Sequence, residues 1–401
     1  MAPRSLLVDA LKVFASQLIV LHHIVWYTPM AESVVPAWPA VANFLADEAR
    51  YVVQIFLVIG GFFAAQGLTR HLDSLPRALL GRWLRLLPML TVALLAVLAA
   101  SALLPPGRWP GWVTPWPTLG AFVAQLLLLQ DVLGIPSLSA GAWYVAIDFQ
   151  LYALLAIGAT LLHRSAERPA WRTPLPWAVA ALTLASLWWF NRDPALDAWA
   201  PYFFGAYGLG ALAAWAGRSR AMAGLFGGVC LAQLLDTWLE PRPRVLIACL
   251  TAIALATLVS RLPARGRPSR ALAYWSDASY GTFVIHYAVI VAMTALWLRL
   301  GSAGTITAWA LLAATWVASL AAGAVLQGWV GRRVGGKPRG TRRRDETARV
   351  RREIPRSATA ALHTRRAKSS GGHSRSLRLP TSTNPSSDGQ VPEHQRDELS
   401  P

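Results

Sequence analysis

Charged residues and cysteines are scarce in this chain of 401 residues. Only 14% of its residues are charged, and its two cysteines, Cys230 and Cys249, both lie inside apolar runs. So low a charge excludes an ordinary soluble domain, in which about a quarter of the residues are charged. Two cysteines exclude a disulfide framework as the organising device. The remaining composition, 54% hydrophobic with a mean hydropathy of +0.39, predicts a polytopic membrane protein.

Long apolar runs set the predicted architecture. A helix needs about 20 predominantly apolar residues to cross ~30 Å of hydrocarbon. We predict an all-α protein of about ten transmembrane helices around a polar cavity, because about ten runs approach that length. The runs lie near residues 8–28, 49–68, 86–105, 143–163, 174–190, 199–217, 221–239, 244–262, 278–298 and 305–330.

The basic residues orient the chain, because cytoplasmic loops accumulate Lys and Arg. We predict that both termini are cytoplasmic, since this topology places the main basic loops on the inner side. Arg242 and Arg244 are exceptions to this positive-inside rule, because the same topology places them on the outer side. The basic loops on the inner side are residues 70–85, 163–172, 218–220 and 261–270.

The run at residues 119–133 is too short and too polar to count as a span. Gln125, Gln130 and Asp131 interrupt it, and counting it would move the basic loop at 163–172 to the outside. We predict instead that this run is interfacial or re-entrant.

The C-terminal segment differs in composition from the rest of the chain. Residues 331–401 hold 17 Lys and Arg against 7 Asp and Glu, which supplies +10 of the net charge of +18. A segment with so few apolar residues and no periodicity cannot bury enough surface to fold. The sequence therefore predicts a membrane domain at residues 1–330 and a disordered basic tail at residues 331–401.

Ionisable residues interrupt the first apolar run. Placing such a residue inside a span costs about 2.5 to 3.5 kcal/mol on insertion scales, so each is a functional candidate. Lys12, Ser16 and His23 share one helix face, with Asp9 on the same side, whereas His22 points about 100° away from His23. We interpret this stripe as facing a cavity or a partner helix. The alternative is a packed helix in which His23 makes a structural hydrogen bond.

A second polar group opens the fourth predicted span, at residues 143–152. Asp148 and His23 lie at matching predicted depths below the outer surface. A carboxylate beside an imidazole fixes its tautomer and raises its basicity, which suits a general base that takes a proton from a hydroxyl. The alternative is that Asp148 and Gln150 bind one another or the free amides at the helix start.

Arg82 and Arg85 form a third candidate group in a predicted cytoplasmic loop. They lie three residues apart and share a helix face, so their guanidinium groups could grip one phosphate group. Taken alone, such a pair is more often a positive-inside anchor. His286, near the middle of the ninth predicted span, is interpreted as making a structural hydrogen bond.

Five segments of the chain form a recognisable series. They are Asp9, Leu11, Lys12 and His23; the stretch 56–62; Arg82, Arg85, Leu86 and Pro88; Trp143, Asp148, Gln150 and Tyr152; and Ser279, Tyr280, Gly281 and His286. In this order they resemble the acyltransferase 3 family of membrane-bound O-acyltransferases and together cover about residues 5–330. Lys12 stands where this family usually has Arg, Gly60 where it has Ser, and Asp148 where it has Glu.

The resemblance implies an integral membrane O-acyltransferase of the bacterial inner membrane. Such an enzyme moves an acyl group, often acetyl, from a cytoplasmic acyl-CoA donor to a hydroxyl of a surface carbohydrate or glycolipid. It implies acyl-CoA as co-substrate, with no permanently bound cofactor, no metal and no nucleic-acid partner.

The same resemblance assigns roles to individual residues. His23 would be the catalytic histidine, with Asp148 orienting its ring. Lys12, Arg82 and Arg85 would bind the donor. The residues expected to line or support the cavity are Asp9, Ser16, Trp143, Gln150, Tyr152 and His286.

Two other functions remain open at this point. The intramembrane polar residues of the first and fourth spans would suit the permeation or proton path of a transporter or flippase. Against this function, the sequence shows no internal inverted repeat. The chain could also be a membrane anchor whose functional element is the basic tail.

Overall fold

The computed structural model describes residues 5–68, 74–108, 110–113, 116–162, 169–261, 269–301 and 304–334. This part of the chain is helical and contains no β-strand, which confirms the all-α prediction. Its α-helices are α1 (Leu6–Tyr27), α2 (Pro29–Glu32), α3 (Pro39–Asn43), α4 (Val53–Leu68), α5 (Leu75–Ser101), α6 (Leu119–Leu126), α7 (Ala142–Leu162), α8 (Leu175–Trp188), α9 (Ala200–Ala216), α10 (Arg220–Leu239), α11 (Pro243–Arg261), α12 (Arg270–Leu300) and α13 (Thr305–Val334).

Seven helical segments of the described chain are long and apolar enough to cross a membrane: α1, Pro39–Gly67, α5, α7, α10, α12 and Thr305–Val330. The chain is therefore an integral membrane protein. The other three predicted spans coincide with α8, α9 and α11, which have 14, 17 and 19 residues. That these three helices also cross the membrane stays a prediction. The predicted basic tail lies outside the described residues from position 335 onwards.

Hydrogen bonds between helices define two ends of the bundle. α5 and α12 run in the same direction, because the Tyr280 hydroxyl donates to the carbonyl of Leu86 (3.2 Å) and Arg299 donates to that of Leu103 (2.9 Å). We call the end at which both helices begin the near end, and the opposite one the far end. α1 also begins at the near end, since Asp9 in its first turn accepts a hydrogen bond of 2.6 Å from the early part of α12.

The chain between α5 and α7 turns back into the bundle. α5 finishes at the far end, yet the Trp83 indole, near its start, donates to the carbonyl of Leu126 at the end of α6 (3.0 Å). The Gln125 side chain then donates to the carbonyl of Pro136 (3.0 Å) and closes a hairpin. α6 has 8 residues and rises only about 12 Å, too little to cross ~30 Å. The run at residues 119–133 is therefore not among the spans of the described chain, and its hairpin re-enters the helix bundle. Whether it is interfacial or re-entrant with respect to the membrane stays a prediction.

Two glycines let α4 and α9 pack with their backbones in contact. A Cβ atom on Gly61 would overlap the carbonyl oxygen of Tyr207, and a Cβ atom on Gly210 would overlap that of Val58. Within a bilayer, close backbone approach of this kind replaces the hydrophobic effect as the drive for helix association. The α4–α9 contact therefore forms a tightly packed part of the bundle.

A charged cluster joins the ends of α8, α10 and α11. Asp236 forms an ion pair with Arg242 and a second ion pair, at 2.8 Å, with Arg192. Arg244 donates to the Tyr202 hydroxyl at 2.5 Å. Arg242 and Arg244 thus have structural partners, which accounts for basic residues in a connection where the loop rule does not expect them.

We expect Gly210→Ala to destabilise the protein and Gly224→Ala to leave it unchanged or slightly more stable. The first change forces a methyl group into the α4 backbone, whereas a Cβ on Gly224 meets no atom within 4 Å. Overpacking of this kind costs about 1 to 3 kcal/mol, against a gain of at most about 1 kcal/mol in helix propensity. Thermal unfolding of the purified variants in detergent measures the difference. Equal melting temperatures for the two variants would show that the α4–α9 contact is not close-packed.

Candidate functional site

Two histidines from distant parts of the chain meet in the bundle. His23 on α1 and His286 on α12 place Nδ1 and Nε2 at 2.8 Å, with ring centroids 4.9 Å apart and ring planes within 2° of parallel. Both side chains are buried. The sequence analysis placed His286 among the cavity-supporting residues, with a structural hydrogen bond, and missed its pairing with His23. The available signal was that both histidines carry the family resemblance.

The hydrogen bonds around the pair fix where the protons lie. His286 Nδ1 lies 3.3 Å from the carbonyl oxygen of Thr282, which can only accept, so this nitrogen carries a proton. In a neutral ring, His286 Nε2 is then the acceptor, and His23 Nδ1 donates to it. His23 Nε2 consequently keeps its lone pair. An imidazole held in this way by a second group has the arrangement of a general base with its orienting partner.

His22 has a different role from its neighbour. Its Nδ1 donates to the backbone carbonyl of Leu45 at 2.7 Å. This bond ties α1 to the short helical turn that precedes α4. His22 is therefore a structural residue in this arrangement, whereas His23 is the histidine that pairs with His286 inside the bundle.

Asp148 does not occupy the position that the sequence predicted. We expected it beside His23, but it forms an ion pair with Arg82 at 2.5 Å. The reason is the hairpin before α7, which carries the start of that helix into the bundle. The depth of Asp148, counted from an assumed surface at residue 143, was therefore wrong. It lies level with Arg82, towards the near end.

Arginines surround a cavity of about 400 Å³ at the near end, which we call the arginine cavity. Arg82 and Arg85, the two predicted donor-binding arginines, both line it, and Arg77 adds a third cation that the sequence reasoning missed. The Tyr152 ring lies 5.3 Å below the Arg82 guanidinium. The other lining residues are Phe63, Ala64, Gly67, Ala78 and Gly81. With Arg82 balanced by Asp148, Arg77 and Arg85 give the cavity a net positive charge, which together with its open volume suits a polyanionic ligand.

An aromatic layer lies between the arginine cavity and the histidine pair. Tyr144 is one turn from Asp148 on α7, and Phe283 is one turn from His286 on α12. The two rings contact each other at 5.0 Å, and Phe56 contacts both at 6.2 and 5.9 Å. A group that passes from the cavity to His23 has to pass this layer.

The far side of the histidine pair is covered by a second aromatic group. Tyr27 lies 5.5 Å from His23, and Trp112 and Tyr287 pack against Tyr27 at 5.3 and 5.4 Å. The Tyr287 hydroxyl donates to the Trp112 carbonyl at 2.9 Å. These rings therefore pack over the far side of the pair.

The remaining predicted site residues of α1 have local roles. Asp9 is buried and accepts a hydrogen bond of 2.6 Å from Ser276. Ser16 donates to the carbonyl of Val13 in its own helix (2.9 Å). Lys12 is half-buried on α1, whereas the walls of the arginine cavity come from α4, α5 and α7. The expectation that Lys12 binds the donor stays a prediction.

Trp143 and Gln150 lie on the other side of α7. Gln150 donates to the carbonyl of Ala198 (3.4 Å) and accepts from the amide of Ala200 (3.1 Å). Trp143 packs against Phe203 at 5.7 Å. Both side chains therefore support the connection between α8 and α9.

We expect Asp148→Asn to lower the thermal stability of the protein, because it leaves Arg82 without its counter-charge. Loss of one partner of a buried pair costs about 3 to 5 kcal/mol, and partial exposure of Arg82 places the effect near the low end. Adding Arg82→Gln should restore part of the loss. Melting temperatures in detergent test this, with Glu48→Gln, at an exposed carboxylate, as the matched control. If Asp148→Asn melts like the control, the pair does not hold α5 to α7.

The comparison with protein families gives an independent result. A family model described as an acyltransferase domain matches residues 6–327, which includes every helix from α1 to α12 and most of α13. No curated protein and no solved structure matches the chain. The match favours the acyltransferase over a transporter and over a role confined to the basic tail, because the matched domain is an acyltransferase and ends before the tail begins. The chain belongs to the acyltransferase 3 family and is a membrane acyltransferase.

Proposed function

We propose that this enzyme transfers an acyl group, most simply acetyl, from acyl-CoA to a hydroxyl of a carbohydrate or glycolipid. The observation that carries the proposal is the His23–His286 pair, which leaves His23 Nε2 as a free acceptor. The pair lies beyond the arginine cavity along the bundle. Donor and acceptor would therefore reach His23 from opposite ends.

The reaction needs one group that first accepts a proton from the acceptor and then gives it to the leaving group. His23 Nε2 takes the proton of the acceptor hydroxyl as the oxygen attacks the thioester carbonyl carbon. The carbon–sulfur bond breaks, and the leaving thiolate receives a proton from the imidazolium. The products are an ester and CoA with a free thiol. His286 keeps the ring of the base His23 in position and accepts from its Nδ1 throughout.

The arginine cavity would hold the phosphates of the donor. Arg77 and Arg85 line it and have no ion pair among the interactions that the described residues show, so their charge is available to a ligand. The Arg82 guanidinium also forms the ion pair with Asp148. The acyl end of the donor would then extend past the aromatic layer of Phe56, Tyr144 and Phe283 to His23.

We further propose that the near end faces the cytoplasm, with ten spans and both termini inside, in a bacterial inner membrane. The positive-inside distribution of the loops supports this orientation. It also places the arginine cavity on the side where acyl-CoA is present. The two arginines that run against the rule, Arg242 and Arg244, are held in the structural cluster around Asp236.

We expect His23→Ala to lower acyl transfer by about 100-fold or more, which is the usual contribution of a general base. His22→Ala should keep transfer within a few-fold of the parent, with a lower melting temperature, because it removes the bond to Leu45 and ring contacts with His23 and Trp26 but leaves the His23–His286 bond in place. The assay follows labelled acetyl from acetyl-CoA into polysaccharide from cells that lack the gene. Equal losses in the two variants would contradict the assignment of His23 as the base.

For the donor, Arg85→Ala should raise the KM for acetyl-CoA about tenfold and change kcat little, since a charge-assisted hydrogen bond is lost in the ground state and the transition state alike. Added salt should imitate the change, because Arg85 is exposed. Arg218→Ala, at an exposed arginine outside the cavity, is the control. A KM that is unchanged in Arg85→Ala, or raised equally in both variants, would mean that the arginine cavity does not bind the donor.

A further inference from the structure

A second large cavity lies against α7, on the side away from Arg82. Its volume is about 460 Å³, and we call it the hairpin cavity because the re-entrant hairpin forms one wall. The start of α7 forms the second wall and the connection between α8 and α9 the third. Its lining side chains include Asp131, Ser137, Trp143, Ile147, Asp197 and Phe203.

α7 presents different faces to the two cavities. Tyr144, Asp148 and Tyr152 are four residues apart and face the arginine cavity and the aromatic layer. Trp143 and Ile147, each one residue earlier, face the hairpin cavity. One residue is a rotation of about 100° on a helix. A single helix thus separates two cavities of different chemistry.

Aromatic rings and carboxylates line the hairpin cavity together. Trp143 is half-buried and packs at 5.7 Å against Phe203, so the two rings form an apolar wall. Asp131 is held in place by Ser137 (3.1 Å) and Gln130 (2.9 Å). Burial raises the pKa of the Asp131 carboxyl, and these two hydrogen bonds oppose the rise. Asp197 is exposed.

Side-chain amides fix the walls of this cavity. Gln130 also reaches the carbonyl of Ala142 (3.4 Å), which joins the hairpin to the start of α7. The Gln150 side chain donates to the carbonyl of Ala198 and accepts from the amide of Ala200, which joins α7 to the α8–α9 connection. The cavity is therefore formed by cross-linked segments and does not result from loose packing of one loop.

We propose that the hairpin cavity binds a sugar residue of the acceptor, with the ring face on Trp143 and Phe203 and its hydroxyls donating to Asp131 and Asp197. This combination suits a sugar, because its C–H face packs on aromatic rings and its hydroxyls donate to carboxylates, of which Asp131 is held in a fixed position. The residues described as lining the cavity include no cation, so it favours neutral or amino sugars over acidic ones.

This inference rests on the proposed function, since it assigns a place to that carbohydrate acceptor. Trp143 adjoins Tyr144, which contacts Phe283 at 5.0 Å, and Phe283 lies 6.1 Å from His286. The sugar in the hairpin cavity is therefore separate from the one whose hydroxyl reaches His23. The enzyme would recognise an oligosaccharide through at least two of its sugars.

The test uses two substitutions, each with a matched control. Asp197→Asn and Trp143→Leu should each raise the KM for the acceptor polysaccharide about fivefold to tenfold, which corresponds to loss of the charge that strengthens one hydrogen bond or to loss of one ring contact. The KM for acetyl-CoA should stay the same. Asp193→Asn and Trp199→Leu change an exposed residue of the same type nearby, outside the cavity lining, and should leave both KM values unchanged.

Binding without catalysis separates the two proposals. In His23→Ala protein, saturation-transfer NMR with a neutral oligosaccharide from the same polysaccharide should detect binding, and adding Asp197→Asn should weaken it at least fivefold. Transfer to polysaccharide with no effect of Asp197→Asn or Trp143→Leu would overturn the sugar subsite and leave the proposed function intact. Acetyl-CoA turnover with no transfer to any carbohydrate would overturn both.

Discussion

The ion pair between Arg82 and Asp148 is the constraint on which the site depends. An unpaired charge inside a bilayer costs several kcal/mol, so α5 and α7 are held in the one register at which these two side chains meet. That register places the start of α7 much closer to the near end of the bundle than the end of α5 is. The chain has to descend into the bundle to reach Ala142, and the re-entrant hairpin is the result.

The same pair explains why a second histidine orients His23. The one carboxylate of α7 is needed to balance Arg82, so it is not available to an imidazole. His286 orients the ring by accepting a hydrogen bond and brings no net charge. Its own proton goes to a backbone carbonyl of its helix, that of Thr282, so no further polar side chain has to be buried. The base is thus held in an apolar layer by groups that are neutral at rest.

The sequence predicted the helices better than the contacts between them. Apolar runs located most long helices, but the start of α5 was placed at residue 86, and the helix begins at Leu75. The arginines in that stretch lower its hydropathy, and only the cavity and Asp148 explain how they are accommodated. The His23–His286 pair joins positions 263 residues apart. The spacing of residues within one helix does not report a contact with a distant helix. The sequence could therefore place each histidine in a span but could not pair them.

The lengths of α8 and α9 have a consequence for the surrounding lipid. At 14 and 17 residues, as spans they rise about 21 and 26 Å, less than the ~30 Å of a typical hydrocarbon layer. Such hydrophobic mismatch is relieved by local thinning of the bilayer. On the ten-span topology that we propose, the connection that joins these helices forms one wall of the hairpin cavity, and a thinned region next to α8, the less buried of the two, would lie beside it. Headgroups in that leaflet would approach the midplane there, and a lipid-linked glycan could enter without its lipid tail leaving the membrane.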